Sequence, residues 1–173
     1  MSFLKSSITF FFIFTLNIPS LAHGPSRLKV SESIEINASA DAVWKIVSDF
    51  KNFNWNGDID KTNIDETGSE RIIKFKSGET IKQKLEKVDE TKMMINWRII
   101  ETDNKILPVN SYSAKVFVKS EKEKTKILYK SGFYRGFMGN DPPPELNDEN
   151  SKKKVKNFIT NNLKGLKEII ENN

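Results

Sequence analysis

Along much of this chain, hydrophobic and polar side chains change places at every second position. In residues 27–36, Leu28, Val30, Ile34 and Ile36 share one face, while Lys29, Ser31, Ser33 and Glu35 share the other. A period of two is the mark of a strand with one buried face. It returns at Arg71, Ile73 and Phe75, then at Ile81, Gln83 and Leu85, and again at Met93, Ile95, Trp97 and Ile99. Tyr112, Ala114, Val116 and Val118 follow, and then Ile127, Tyr129, Ser131 and Phe133. Ser77-Gly78-Glu79 and residues 121–124 read as hairpin connections. Residues 58–66 form a weaker strand candidate.

Helical spacing occurs in few places. Ser39 is placed to cap a short helix carrying Val43, Ile46, Val47 and Phe50, with Asp41 in its first turn. A second short helical or turn segment starts at Asn52 and carries Phe53 and Trp55. Val155, Phe158, Ile159, Asn162, Leu163, Leu166 and Ile170 trace a stripe predicting a long helix over 148–171, after the helix-stopping Pro142-Pro143-Pro144. The predicted order is a strand, two short helices, about six antiparallel strands and one long C-terminal helix. This is an α+β architecture with about seven strands. Only the long helix could cover the apolar face of such a sheet, and the short helices would close one end.

Composition narrows the function. Lys5 followed by the apolar run 8–18 and Ser20-Leu21-Ala22 predicts a secretory signal peptide over 1–22, cut before His23. The run is too short for a membrane anchor. That reading expects a periplasmic protein of residues 23–173, one domain with one core. Loss of Lys5 lowers the formal charge from +5 to +4. The charges are mixed in sign, so Lys152-Lys153-Lys154 reads as a solvated face and nucleic acid is not an expected partner. With no cysteine, disulfides, thiol nucleophiles, iron–sulfur sites and covalent haem are excluded. No cofactor is expected. His23 is the sole histidine, and one residue supplies too few ligands for a metal site.

The element order and several stretches resemble the SRPBCC, or START-like, superfamily, which includes polyketide cyclase-like and Bet v 1-like proteins. IEINASADAVWKIVSDFKNFNWN is similar to that family's opening motif, and GSERIIKFKSGETIKQKLEKVDE to its middle hairpin. LPVNSYSAKVFV and the stretch from YKSGFYRGFMGNDPPPEL to the C-terminal helix resemble the exported MxaD-type group associated with methanol oxidation. The resemblance implies a helix-grip fold with a ligand cavity. It also implies a non-catalytic accessory role beside methanol dehydrogenase and its cytochrome c acceptor. Gln83 stands where the resemblance would place a glutamate, Trp97 where a tyrosine is commoner, and Tyr129 where a tryptophan is commoner.

The alternation places polar groups among apolar ones on the expected inner face: Glu32, Arg71, Gln83, Tyr112 and Tyr129, with Trp97 near them. A buried charge needs a partner, so Arg71 would pair with Glu32 or meet an anionic ligand. Together these six are the candidate lining of a pocket for a small hydrophobic ligand. Catalysis has little support, since no nucleophile–base pair is present, although a Tyr- and Arg-assisted cyclase or dehydratase stays open. The loop 132–149 supplies candidate protein-contact residues, Tyr134, Arg135, Phe137 and Met138, of types common at interfaces.

Overall fold

The alternating stretches pair edge to edge, as their period requires, in a computed structural model that describes residues 24–172. The expected signal segment and His23 lie outside the described residues. Strand β1 (Leu28–Ile36) leads to helix α1 (Ala40–Val47). Six strands follow: β2 (Ile59–Ile64), β3 (Glu70–Phe75), β4 (Thr80–Asp89), β5 (Met94–Thr102), β6 (Val109–Glu121) and β7 (Lys124–Arg135). A single 3-10 turn at Pro144–Leu146 precedes the long helix α2 (Asp148–Glu171). The strands form one antiparallel sheet in the order β1-β7-β6-β5-β4-β3-β2. Register shifts in the β2–β3, β4–β5 and β6–β7 pairings insert extra residues and bend the sheet. Helix α2 lies in the resulting concavity, burying Val155, Phe158, Ile159, Leu163 and Leu166. This is the expected helix-grip arrangement.

Both helices start as their sequences dictate. The Ser39 hydroxyl accepts from the Ala42 amide at 3.3 Å, and the Asn147 side chain accepts from the Asn150 amide at 2.8 Å. Acidic residues occupy both first turns, where the helix dipole favours them. Of the two readings of the segment from Asn52, helix or turn, the helix does not form. Residues 52–56 are irregular chain, because asparagine and aspartate side chains satisfy the backbone locally: Asn52 accepts from the Asn54 amide and Asn56 from the Asp58 amide. Such turns compete with helical hydrogen bonds. Phe53 and Trp55 are nevertheless buried, as expected.

This irregular segment is pressed onto α2. A Cβ placed on Gly165 would lie 2.0 Å from the Trp55 carbonyl oxygen, so only glycine allows the contact. Beside it, the Asn56 side-chain Nδ2 donates to Asn162 Oδ1 at 2.6 Å, and Asn162 Nδ2 in turn donates to the Phe158 carbonyl. Near the other end of the helix, the buried Ser151 hydroxyl donates to the Pro108 carbonyl at 2.7 Å and accepts from the Gly136 amide.

Candidate functional site: a buried donor set around Arg71

Strands β3, β4 and β5 each turn one polar side chain into the core. Arg71 pairs with Gln83 across β3–β4, and Gln83 pairs with Ile99 on β5, two residues beyond Trp97. Arg71 and Trp97 meet the segment after α1, at Phe50, Phe53 and Trp55. Arg71 is 1% exposed. Its Nε donates to Gln83 Oε1 at 2.8 Å, and its Nη1 donates to the Phe50 carbonyl at 2.9 Å. The guanidinium carbon stands 4.1 Å from the Phe50 ring centroid, 4.2 Å from Phe53 and 5.0 Å from Trp97. These ring faces supply cation–π stabilisation. Among the described residues, no carboxylate is hydrogen-bonded to the guanidinium. Three N–H groups in this neighbourhood, Arg71 Nη2, Gln83 Nε2 and Trp97 Nε1, have no hydrogen-bond partner among the described residues. Trp55 Nε1, on a ring packed against Trp97, is unpartnered as well. Leaving a buried donor unmade costs about 1–3 kcal/mol. Four of them in one aromatic layer are therefore a costly arrangement, and all four lack the same thing, an acceptor.

Tyr112 and Tyr129 adjoin this layer. Their hydroxyls lie 3.1 Å apart, and Tyr129 meets the Trp97 ring edge-on at 5.7 Å. Tyr112 reaches the inner face through a bulge. Between Asn110 and Ser113 the pairing with β7 slips, and Ser111 takes a left-handed backbone (φ 47°). The extra residue shifts the parity of β6, so Val109 and Tyr112, three apart, both face inward.

Electrostatics follow from burial. Loss of water pushes the Arg71 guanidinium down to about 9, against smaller opposing pulls from Tyr129 and Asp49. Burial pushes the Tyr112 phenol up to about 12 and the Tyr129 phenol well above its usual value. At neutral pH the arginine is still charged and both phenols keep their protons. The set therefore offers donors to an acceptor oxygen. It contains no carboxylate or imidazole to act as a base.

The structure brings together five of the six expected pocket residues: Arg71, Gln83, Trp97, Tyr112 and Tyr129. Glu32 does not join them. It lies at the β1 side of the sheet, partly exposed, 3.9 Å from Lys156 of α2. Arg71 lies on β3, five strands along the sheet from β1, so the expected Glu32–Arg71 pair is replaced by Gln83 and the Phe50 carbonyl. The expected open chamber is also filled differently. The rings of Phe53, Trp55 and Trp97 pack against one another in the interior, and five hollows open at the surface. Arg71, Gln83, Trp97 and Tyr129 line none of these five.

The 132–149 loop also needs a correction. Arg135 is not a contact residue; it is 8% exposed. Its guanidinium donates to the Phe137 carbonyl at 2.7 Å and the Gly139 carbonyl at 2.6 Å, and pairs with Asp148 at 3.4 Å. It holds the loop shut. Tyr134, on the opposite face of β7, is half-buried under Arg27 at 5.6 Å. Phe137 and Met138 are exposed, at 38% and 49%. The Arg135 position was legible: it continues the inward series Ile127, Tyr129, Ser131, Phe133 by one more step of two.

Comparison with known proteins agrees with this geometry. The model of the family described as "Polyketide cyclase / dehydrase and lipid transport" matches residues 27–171. No curated protein matches the chain. Among solved structures, an uncharacterized protein of Bacillus thuringiensis is 23% identical, with a TM-score of 0.70, covering 83% of this chain and 98% of its own. The Zhui aromatase/cyclase of a Streptomyces species is 17% identical, with a TM-score of 0.64 over 84% of this chain and 94% of its own. A START superfamily protein from Mycobacterium smegmatis has 17% identity and a TM-score of 0.64, over 83% and 97%. At these identities the structures speak for the fold alone. With its seven-stranded grip, its long closing helix and a family match spanning nearly all the described residues, the chain belongs to the polyketide cyclase / dehydrase and lipid transport family.

Proposed function

We propose that this protein binds a small, largely apolar molecule carrying an acceptor oxygen, which docks on the buried donors around Arg71. The observation that carries this reading is the guanidinium itself: fully buried, without a hydrogen-bonded carboxylate, and with Nη2 unpartnered beside Gln83 Nε2 and Trp97 Nε1. A ligand oxygen would supply the missing acceptor, and the surrounding rings would solvate its apolar body. Since the set donates hydrogen bonds and holds no base, retention of the molecule fits it better than proton abstraction. The relative named as an aromatase/cyclase keeps a cyclase- or dehydratase-like reaction as the alternative use of the same donors.

Native mass spectrometry of protein purified from its host tests this. Wild type should carry a retained small molecule, and the paired substitution Arg71→Met with Gln83→Leu should lose it while remaining folded. Retention of the same mass by the folded double variant, or no retained mass in wild type, would sink the proposal.

The exposed Phe137 and Met138 favour a second reading, in which an exported form of the protein serves as a periplasmic accessory to methanol dehydrogenase and its cytochrome c acceptor. In a pull-down and turnover assay with both partners, Phe137→Ala with Met138→Ala should weaken capture. No capture of either partner by wild type, with electron transfer unchanged, would rule it out.

A further inference from the structure

The outer face of the sheet, turned away from α2, carries charge in two different ways. On its β3–β5 half the bases are neutralised where they stand. Lys82 lies 2.7 Å from Glu70 and Arg98 2.9 Å from Glu86, and Lys74 and Lys84 each have a carboxylate at 4.0 Å. The β6–β7 half does the reverse. Its register sets Lys115 directly opposite Lys130 and Lys119 directly opposite Lys126, with Phe117 opposite Leu128 between the two pairs. Lys115, Lys119 and Lys130 are exposed, and among the described residues none of them forms an ion pair. Lys126 has one, with Glu121 at 3.8 Å.

A further cation extends the patch. Where Ser113 stands opposite Gly132, Arg27 lies across the pair, donating to Ser113 Oγ at 3.0 Å and to the Gly132 carbonyl at 3.1 Å. It too has no ion pair among the described residues. Like charges directly opposite one another on a sheet are destabilising, and the β3–β5 half shows the same face built without that cost. The stacked lysines therefore do nothing for the fold. Outward positions follow one another about 7 Å apart along a strand and about 5 Å across to the next. The two lysine pairs thus stand about 13 Å apart, with an apolar pair midway.

That layout selects among acidic partners. Lys130 Nζ already stands 5.9 Å from the Phe117 ring centroid, and the Arg27 fork is already spent on Ser113 and Gly132. Neither a free ring face nor a free bidentate clamp is left for a nucleic acid. Phe117 and Leu128 are half-buried, so they offer a bilayer little to insert. An apolar centre bordered by charge is the anatomy of a protein contact. We propose that the outer face of β6–β7 docks an acidic segment of a partner protein, with carboxylates on both lysine pairs and an apolar side chain on Phe117 and Leu128. This surface lies on the other side of the sheet from Arg71, and the proposal does not depend on that site.

The probe is a synthetic peptide of two leucines flanked on each side by three glutamates, titrated into the isotope-labelled protein and followed by NMR. Amide shifts should concentrate on residues 113–119 and 126–132, and binding should weaken as salt is added. The same peptide with serines for leucines should bind roughly two- to five-fold more weakly. With lysines for glutamates it should not bind. Lys115→Gln with Lys130→Gln should weaken binding about five-fold, with no fall in denaturation midpoint, because the change relieves a repulsion. Lys152→Gln with Lys153→Gln, exposed on α2, should bind as wild type does. Shifts spread over the other lysines, equal losses in the two double variants, a lowered midpoint in the first, or no binding would each overturn the inference. Tighter binding of phosphatidylglycerol vesicles or of oligothymidylate through the same lysines would overturn it too, making the occupant a bilayer or a nucleic acid.

Discussion

Two arginines of this protein are buried on the same face of one sheet, and they are treated in opposite ways. Arg135 closes β7 with every part of its fork engaged: two backbone carbonyls and the Asp148 carboxylate. Arg71, at the far side of the sheet, has one amide side chain, one carbonyl and three aromatic faces, and keeps an N–H without an acceptor. Burying a charge is tolerable when its donors are met, as at Arg135. At Arg71 the same cost is only partly offset. A fully satisfied arginine explains a loop's shape; an incompletely satisfied one points beyond the chain, to something that completes it.

That contrast predicts opposite responses to removal. Arg135→Ala strips the loop carbonyls of their donor and should cost about 2–3 kcal/mol in urea denaturation, with early proteolysis between residues 136 and 147. A variant as stable as wild type would show that the loop does not need its arginine. Arg71→Met with Gln83→Leu removes both partners of the interior pair and should leave the ligand-free protein between unchanged and about 2 kcal/mol more stable. A marked loss of stability there would reduce Arg71 to a structural part like Arg135.

Smaller effects come from the phenols. Tyr112→Phe leaves the buried Tyr129 hydroxyl without its partner and should cost about 1 kcal/mol. In pH the two kinds of group act with opposite sign. Both phenols ionise less readily in the folded protein, so their contribution is complete below about 10 and is lost as pH rises through their raised values, about 12 for Tyr112. Arg71 is shifted the other way, so the cost of burying its charge is present at neutral pH and is relieved as pH rises above about 9. Denaturation midpoints in wild type and the Arg71→Met, Gln83→Leu variant should therefore converge above about pH 9. Parallel pH profiles would contradict the assignment. Least of all, Phe137→Ala with Met138→Ala should move stability by no more than about 0.5 kcal/mol, since both side chains face solvent. A larger change would mean that they pack the loop.

Much of this was legible in the chain. Alternation placed Arg71, Gln83, Trp97 and Tyr129 on the buried face, and the stripe from Val155 to Ile170 marked α2 at the bounds 148–171 that the structure gives. What escaped was whatever a period cannot carry. Glu32 has the right parity on β1, but parity says nothing about which strand lies across the sheet, and Lys156 meets it instead. The bulge at Ser111 changes parity within one strand. Asparagine turns after α1 outcompete a helix whose hydrophobic spacing looked adequate.

Helix α2 is moored toward both ends, by Ser151 to the Pro108 carbonyl and by the side-chain-free Gly165 seated on the Trp55 carbonyl. Between these moorings the helix behaves as a beam supported at both ends, with Phe158 beneath its span. Such a beam resists sliding and lifting alike, because either motion strands a buried hydroxyl or drives backbone into backbone. With the helix held, any opening of the arginine's surroundings falls to the rings packed on it, Phe50, Phe53 and Trp97, and would run at the rate of rotamer exchange.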